Sequence, residues 1–158
     1  MMRFRWRHIA LPLTFLLLSI GLAVYFYPRL PGEIAYHFQD GLPDRWLSRG
    51  ATTAWLLVPQ FLLAGLSAAV VLGIIRLGNR FQSTANKRAE TMLLLIGNMV
   101  ALPQLVLAFA MLAIFSYNSY GIYLVPLWIF ALIVMGLGGI ILGAVFFLAI
   151  QQALARKQ

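Results

Sequence analysis

Four stretches of this chain, about residues 9–27, 54–75, 91–115 and 122–150, contain no Asp, Glu, Lys or Arg. Each has the roughly 17–25 apolar residues, or more, that a helix needs to cross a bilayer. Hydrocarbon offers backbone N–H and C=O groups no partner, so each run must satisfy them internally, as a helix does. The expected fold is therefore an all-α integral membrane protein: a single membrane domain over 1–158 with four transmembrane helices and an ordered outer loop, 28–50, between the first two. With 62% hydrophobic and only 10% charged residues, the composition excludes an ordinary soluble domain. The fourth run is longer than the hydrocarbon requires and is expected to continue past it at Gln151 and Gln152. The first run follows Arg3, Arg5, Arg7 and His8, an order shared with secretory signal peptides. Its bulky end, Tyr25-Phe26-Tyr27, and the three runs behind it favour a retained anchor.

Orientation follows from the basic residues, because Lys and Arg resist translocation. Arg3, Arg5, Arg7, Arg76, Arg80, Lys87, Arg88, Arg156 and Lys157 fall on one side, and Arg29, Arg45 and Arg49 on the other. Nine against three is expected to place both termini in the cytoplasm, with the bilayer as the first partner. Tyr25, Tyr27, Trp55, Tyr117, Tyr120 and Tyr123 cluster at the expected outer interface, and Trp6 marks the inner one. The net charge of +8 does not indicate nucleic acid, since the basic residues sit at the ends of apolar runs and not across one face. With no cysteine there is neither a disulfide framework nor a thiolate ligand or nucleophile.

Within the spans, small residues recur at helical spacing: Gly65, Ala69 and Gly73 in the second, and Gly136, Gly139 and Gly143 in the fourth. Such stripes let helix backbones approach in lipid, and packing inside the bundle is the expectation, with a homodimer seam as the alternative. The polar residues inside spans are Gln60, Asn98 and Gln104, with Pro59 and Pro103 directly before the glutamines. A proline frees a carbonyl four residues earlier, and a neighbouring amide is expected to satisfy the freed backbone. The alternative is that these three amides line a ligand crevice. No ionisable group lies deep in a span, which argues against ion or proton transport.

The chemistry concentrates in the loop between the first two helices. Pro28 and Pro31 stop the first helix, Asp40-Gly41 signals a turn, and Pro43 bends the chain ahead of Trp46. Leu30, Ile34 and Phe38 at four-residue spacing suggest a short helix lying on the interface, and Ser48 or Thr52 is the expected cap of the second spanning helix. The pattern Leu30-Pro31, Ile34, His37-Phe38, Gly41, Pro43-Asp44, Trp46 and Ser48-Arg49 resembles a bacterial membrane family, the domain of unknown function numbered 1648, found alone or at the N-terminus of SdpI-type toxin immunity proteins. Ala35 stands where that family usually has proline, and Arg49 where lysine is common.

The resemblance implies a non-enzymatic binding protein that gives immunity to, or senses, a membrane-active peptide. A peptide or membrane-protein partner would then meet Tyr36, Phe38 and Trp46 at the outer face. Read from the residues alone, His37 and Asp44 are expected to close the loop by hydrogen bonding, with Asp44 also pairing Arg45 or Arg49. No catalytic residue and no cofactor is expected. The alternative is a metal-dependent membrane enzyme or accessory subunit in which His37 and Asp44, with Glu33 or Asp40, hold a divalent ion. Its weakness is the single nitrogen ligand.

Overall fold

The computed structural model describes residues 3–39, 42–80 and 87–154. Among the described residues, besides short 3-10 turns at Trp6–Ile9 and Tyr27–Arg29, there are five α-helices and one hairpin: α1 (Ala10–Phe26), β1 (Glu33–Gln39), β2 (Leu42–Ser48), α2 (Arg49–Arg80), α3 (Lys87–Met99), α4 (Ala101–Tyr120) and α5 (Leu127–Leu154). Four stretches, Trp6–Arg29, Arg49–Asn79, Glu90–Tyr120 and Leu127–Val145, are helical, long and apolar enough to cross a membrane. The all-α multi-pass architecture is as expected, and the small two-stranded sheet is an addition to it.

The element boundaries have local causes. Pro28 and Pro31 follow α1, and Arg49 closes it by donating from Nη1 to the carbonyls of Tyr27 (3.2 Å) and Leu30 (3.3 Å). α2 starts at Arg49, not near residue 54, because Ser48 Oγ accepts the Ala51 N–H at 3.4 Å as an N-cap. The third span is two helices, not one: Pro103 has no N–H for the Met99 carbonyl, and the helix breaks at Val100. Gly121 ends α4 at φ 68°, in the left-handed region that favours glycine. α5 then begins at Leu127 behind Pro126, later than the expected 122.

α1 packs against α2 and α4, while α5 packs chiefly on α4. Two apolar cores hold the bundle. One joins Ala23, Phe26, Leu30, Ile34, Met111 and Phe115 at the hairpin end; the other joins Ile9, Val71, Ile75 and Leu93 at the basic end. At the basic end Arg5 and Arg7 both donate to Glu90 Oε1, Arg5 at 2.9 Å.

The small-residue stripes do not seal the bundle. A Cβ added at Gly65, Gly73, Gly136, Gly139 or Gly143 would meet no atom within 4 Å, and Ala69 is exposed. Close approach occurs elsewhere. A Cβ at Gly97 would collide with the His8 carbonyl oxygen and lie 2.7 Å from a Val71 methyl, and one at Gly138 would meet Leu102. Four-residue spacing identifies a smooth helix face but not which side of the helix faces its neighbours.

The Pro-Gln pairs are also used differently from expectation. Gln60 Nε2 donates to the Gln104 carbonyl at 3.0 Å, and Gln104 Nε2 donates to the Gln60 carbonyl at 3.2 Å. Both side chains are buried, and their amides link α2 to α4 instead of serving the carbonyls that Pro59 and Pro103 free. The third intramembrane polar residue, Asn98, grips the start of α1: its Oδ1 accepts the Leu11 N–H (2.9 Å), and its Nδ2 donates to the carbonyls of Arg7, His8 and Leu94. All three amides bond backbone groups through their nitrogens, the structural role expected of them, while the buried Oε1 atoms of Gln60 and Gln104 have no hydrogen-bond partner among the described residues.

Candidate functional site

The motif loop is a β-hairpin, not an interfacial helix. Glu33-Ile-Ala-Tyr-His-Phe-Gln and Leu-Pro-Asp-Arg-Trp-Leu-Ser48 pair antiparallel, with Glu33 opposite Ser48, Ala35 opposite Trp46, His37 opposite Arg45 and Gln39 opposite Leu42. Two irregularities, one on each side of His37, shift the register. The four-residue recurrence of Leu30, Ile34 and Phe38 is a coincidence of an even number: Ile34, Tyr36 and Phe38 also alternate with period two, as a strand requires. The turn signal Asp40-Gly41 lies outside the described residues.

The described motif residues lie in this hairpin or at its two ends. Leu30 and Ile34 are buried in the core, and Ala35 is equally buried, while Pro31 and Glu33 are exposed. Phe38 packs edge-on against Tyr117 (ring centroids 4.6 Å) and Tyr123 (5.6 Å), and Pro43 lies opposite Phe38 in the pairing. Ser48 caps α2. Arg49, besides closing α1, lies over the Tyr27 ring at 4.5 Å, and its backbone N–H bonds the Gly32 carbonyl at 2.9 Å. It therefore does not pair Asp44, contrary to one expectation. Trp46 remains 53% exposed and Leu42 71% exposed, so apolar side chains share the hairpin's surface with the exposed Glu33, His37, Asp44 and Arg45.

His37 Nδ1 lies 2.6 Å from Asp44 Oδ1, the loop-closing contact expected from sequence. That hydrogen bond is the main reason the Asp44 carboxyl is held below its ordinary range; partial loss of water opposes it, and the nearby imidazole and Arg45 charges reinforce it. Glu33 is four residues along β1 from His37, about 13 Å at ~3.3 Å per residue, and cannot join the same ion. Asp40 lies outside the described residues. Among the described residues, no three His, Asp or Glu side chains come together in a metal-sized group.

Sequence reading missed the residue that seats the hairpin. Asn118 on α4 accepts the Ala35 N–H with Oδ1 (2.9 Å) and donates from Nδ2 to the Ala35 carbonyl (2.9 Å), so its amide stands in for a third strand. The same Nδ2 also bonds the Ile114 carbonyl at 2.8 Å. An Asn at the polar end of a span gives no hint of a partner 83 residues away. Between the seated hairpin, α4 and the start of α5 lies a cavity of about 120 Å³, with Tyr36, Phe38, Ile114, Tyr117, Tyr123 and Val125 among its walls.

Residues 14–59 match the model of a family described as a domain of unknown function, DUF1648. No curated protein and no solved structure matches the chain. The matched segment covers most of α1, the whole hairpin and the first turns of α2, which is the part of the chain in which the motif residues cap and close one another.

Proposed function

We propose that the DUF1648 segment of this multi-pass protein is a non-enzymatic docking platform for an amphipathic, membrane-active peptide, and that the chain senses such a peptide or protects against it. The observation that carries this reading is the aromatic cleft between the hairpin, α4 and α5, walled by Tyr36, Phe38, Tyr117 and Tyr123, on a hairpin that also exposes Trp46. Apolar bodies with polar edges suit a partner arriving along the headgroup layer, where rings of this kind are best accommodated. The similarity of the motif to SdpI-type immunity proteins supports the same class of ligand. In this reading the membrane is a bacterial inner membrane, with the basic end of the bundle in the cytoplasm and the hairpin outside.

The test is vesicle leakage. Phosphatidylcholine vesicles with and without the reconstituted chain are challenged with a labelled amphipathic Leu/Lys peptide. Wild type should bind the peptide and reduce dye release, and Tyr123→Ala or Trp46→Ala should weaken both effects. Binding and leakage indistinguishable from empty vesicles would remove the reading. The second reading, a metal-dependent enzyme, has one observation in its favour, the exposed His37–Asp44 pair, which supplies two of the four ligands that zinc usually takes.

A further inference from the structure

At the end of the bundle away from the hairpin, a groove of about 450 Å³ opens between the start of α1, the α3–α4 junction and the middle of α5. That is the size of a real ligand site, which typically encloses ~300–1,000 Å³. Its walls are apolar, with Leu11, Leu94, Leu95, Leu102, Ile141 and Leu142 prominent among them. Two polar side chains reach it, Asn98 and Arg7. Asn98 has no donor to spare for an anion: its nitrogen already serves the Arg7, His8 and Leu94 carbonyls, while its oxygen accepts the Leu11 N–H. Arg7 is different. It shares the single carboxylate of Glu90 with Arg5, so two positive charges face one negative, and its side chain is half exposed. A guanidinium has five N–H donors, and an ionised oxygen is the partner that uses them best.

The occupant must therefore be apolar along most of its length and anionic at one end. The groove opens toward hydrocarbon, since Leu11 and Ile141 are 50% and 63% exposed and both lie within candidate membrane spans. We propose that it holds an acyl chain of an anionic phospholipid, with the phosphate against Arg7 at the basic end of the bundle. Basic pockets between spanning helices are suited to such headgroups. This lipid would fill the space left because α5 packs chiefly on α4, and so would bridge α5 and the start of α1.

The experiment is native mass spectrometry of the full chain, titrated with phosphatidylglycerol or with phosphatidylcholine of the same acyl chains. Wild type should hold phosphatidylglycerol at least about fivefold more tightly, the contribution of one arginine near an anionic headgroup. Arg7→Gln should erase that preference. Glu90→Gln, which removes the competing carboxylate, should enlarge it, a direction that simple misfolding does not produce. Leu11→Trp, at a half-exposed position, should fill the groove and weaken both lipids alike. Equal binding of the two lipids to wild type, or a preference that survives Arg7→Gln, would overturn the proposal. Full competition by soluble glycerophosphate would do so too, since the chain would then have no role. So would a dimer mass that Leu11→Trp dissolves, because the occupant would then be a second copy.

Discussion

Two asparagines, twenty residues apart on the same span, fix the N-terminal quarter of the molecule. Asn98 grips the start of α1 and Asn118 grips β1, each by offering a side-chain amide where a peptide group would otherwise be. Truncating Asn118 leaves the N–H and C=O of the buried Ala35 without partners, and stranded groups of that kind cost about 1–3 kcal/mol. Asn118→Ala should lower thermal stability in detergent by that amount, and Asn118→Leu should not restore it. The His37–Asp44 contact predicts a pH dependence. Asp44 is held below its ordinary range in the folded state, so its contribution is present above the unfolded carboxylate value of ~3.9 and is lost as pH falls through the lower folded one. Melting curves of wild type and Asp44→Asn should therefore differ at neutral pH and converge in strong acid. Added Zn²⁺ should shift neither curve. A zinc-dependent rise in wild type, absent from His37→Gln and Asp44→Asn, would favour the metal reading instead. The sequence made the His37–Asp44 pair legible because both residues are polar and seven apart in one loop. Asn118 and Glu90 were not legible, because their partners come from the other half of the chain.

At the level of elements, the four apolar runs could be read directly, since a hydrocarbon environment leaves a helix few alternatives. The hairpin could not be read from four-residue spacing, although Asp40-Gly41 between two alternating segments is a hairpin signal in its own right. What the spacing of small residues could not supply was direction. Gly97, which no stripe contains, is the glycine on which packing depends, because its missing Cβ admits the His8 carbonyl. Gly97→Ala should destabilise by about 1–3 kcal/mol, the usual scale of overpacking, whereas Ala69→Leu and Gly139→Leu should melt like wild type. The reciprocal glutamine contact between α2 and α4 makes a further prediction. Each bond joins one side chain to the other residue's backbone, so Gln60→Leu and Gln104→Leu remove different bonds, and each should cost about 0.6–1.7 kcal/mol in thermal unfolding. A loss well below that in both variants would mean that the amides contribute no net hydrogen bonding.

For the whole molecule, the arrangement separates two ends with different chemistry. One end gathers Arg3, Arg5, Arg7 and Arg76; the other carries the hairpin, its loop charges largely compensated within the motif. On intact cells, a membrane-impermeant maleimide should label Arg45→Cys and spare Arg76→Cys, and the cysteine-free background makes the readout unambiguous. The reverse labelling would invert the topology. The central claim is that the DUF1648 motif encodes a hairpin seated on α4, and that the cleft so formed is where a partner docks. It is tested most directly by placing cysteines at Phe38 and Tyr117, whose rings lie 4.6 Å apart, and treating the reconstituted double variant with a short bismaleimide added from the hairpin side. The account predicts rapid intramolecular cross-linking and, once cross-linked, loss of binding to the amphipathic Leu/Lys peptide. A folded double variant that fails to cross-link, or one that cross-links and still binds the peptide as before, would contradict it.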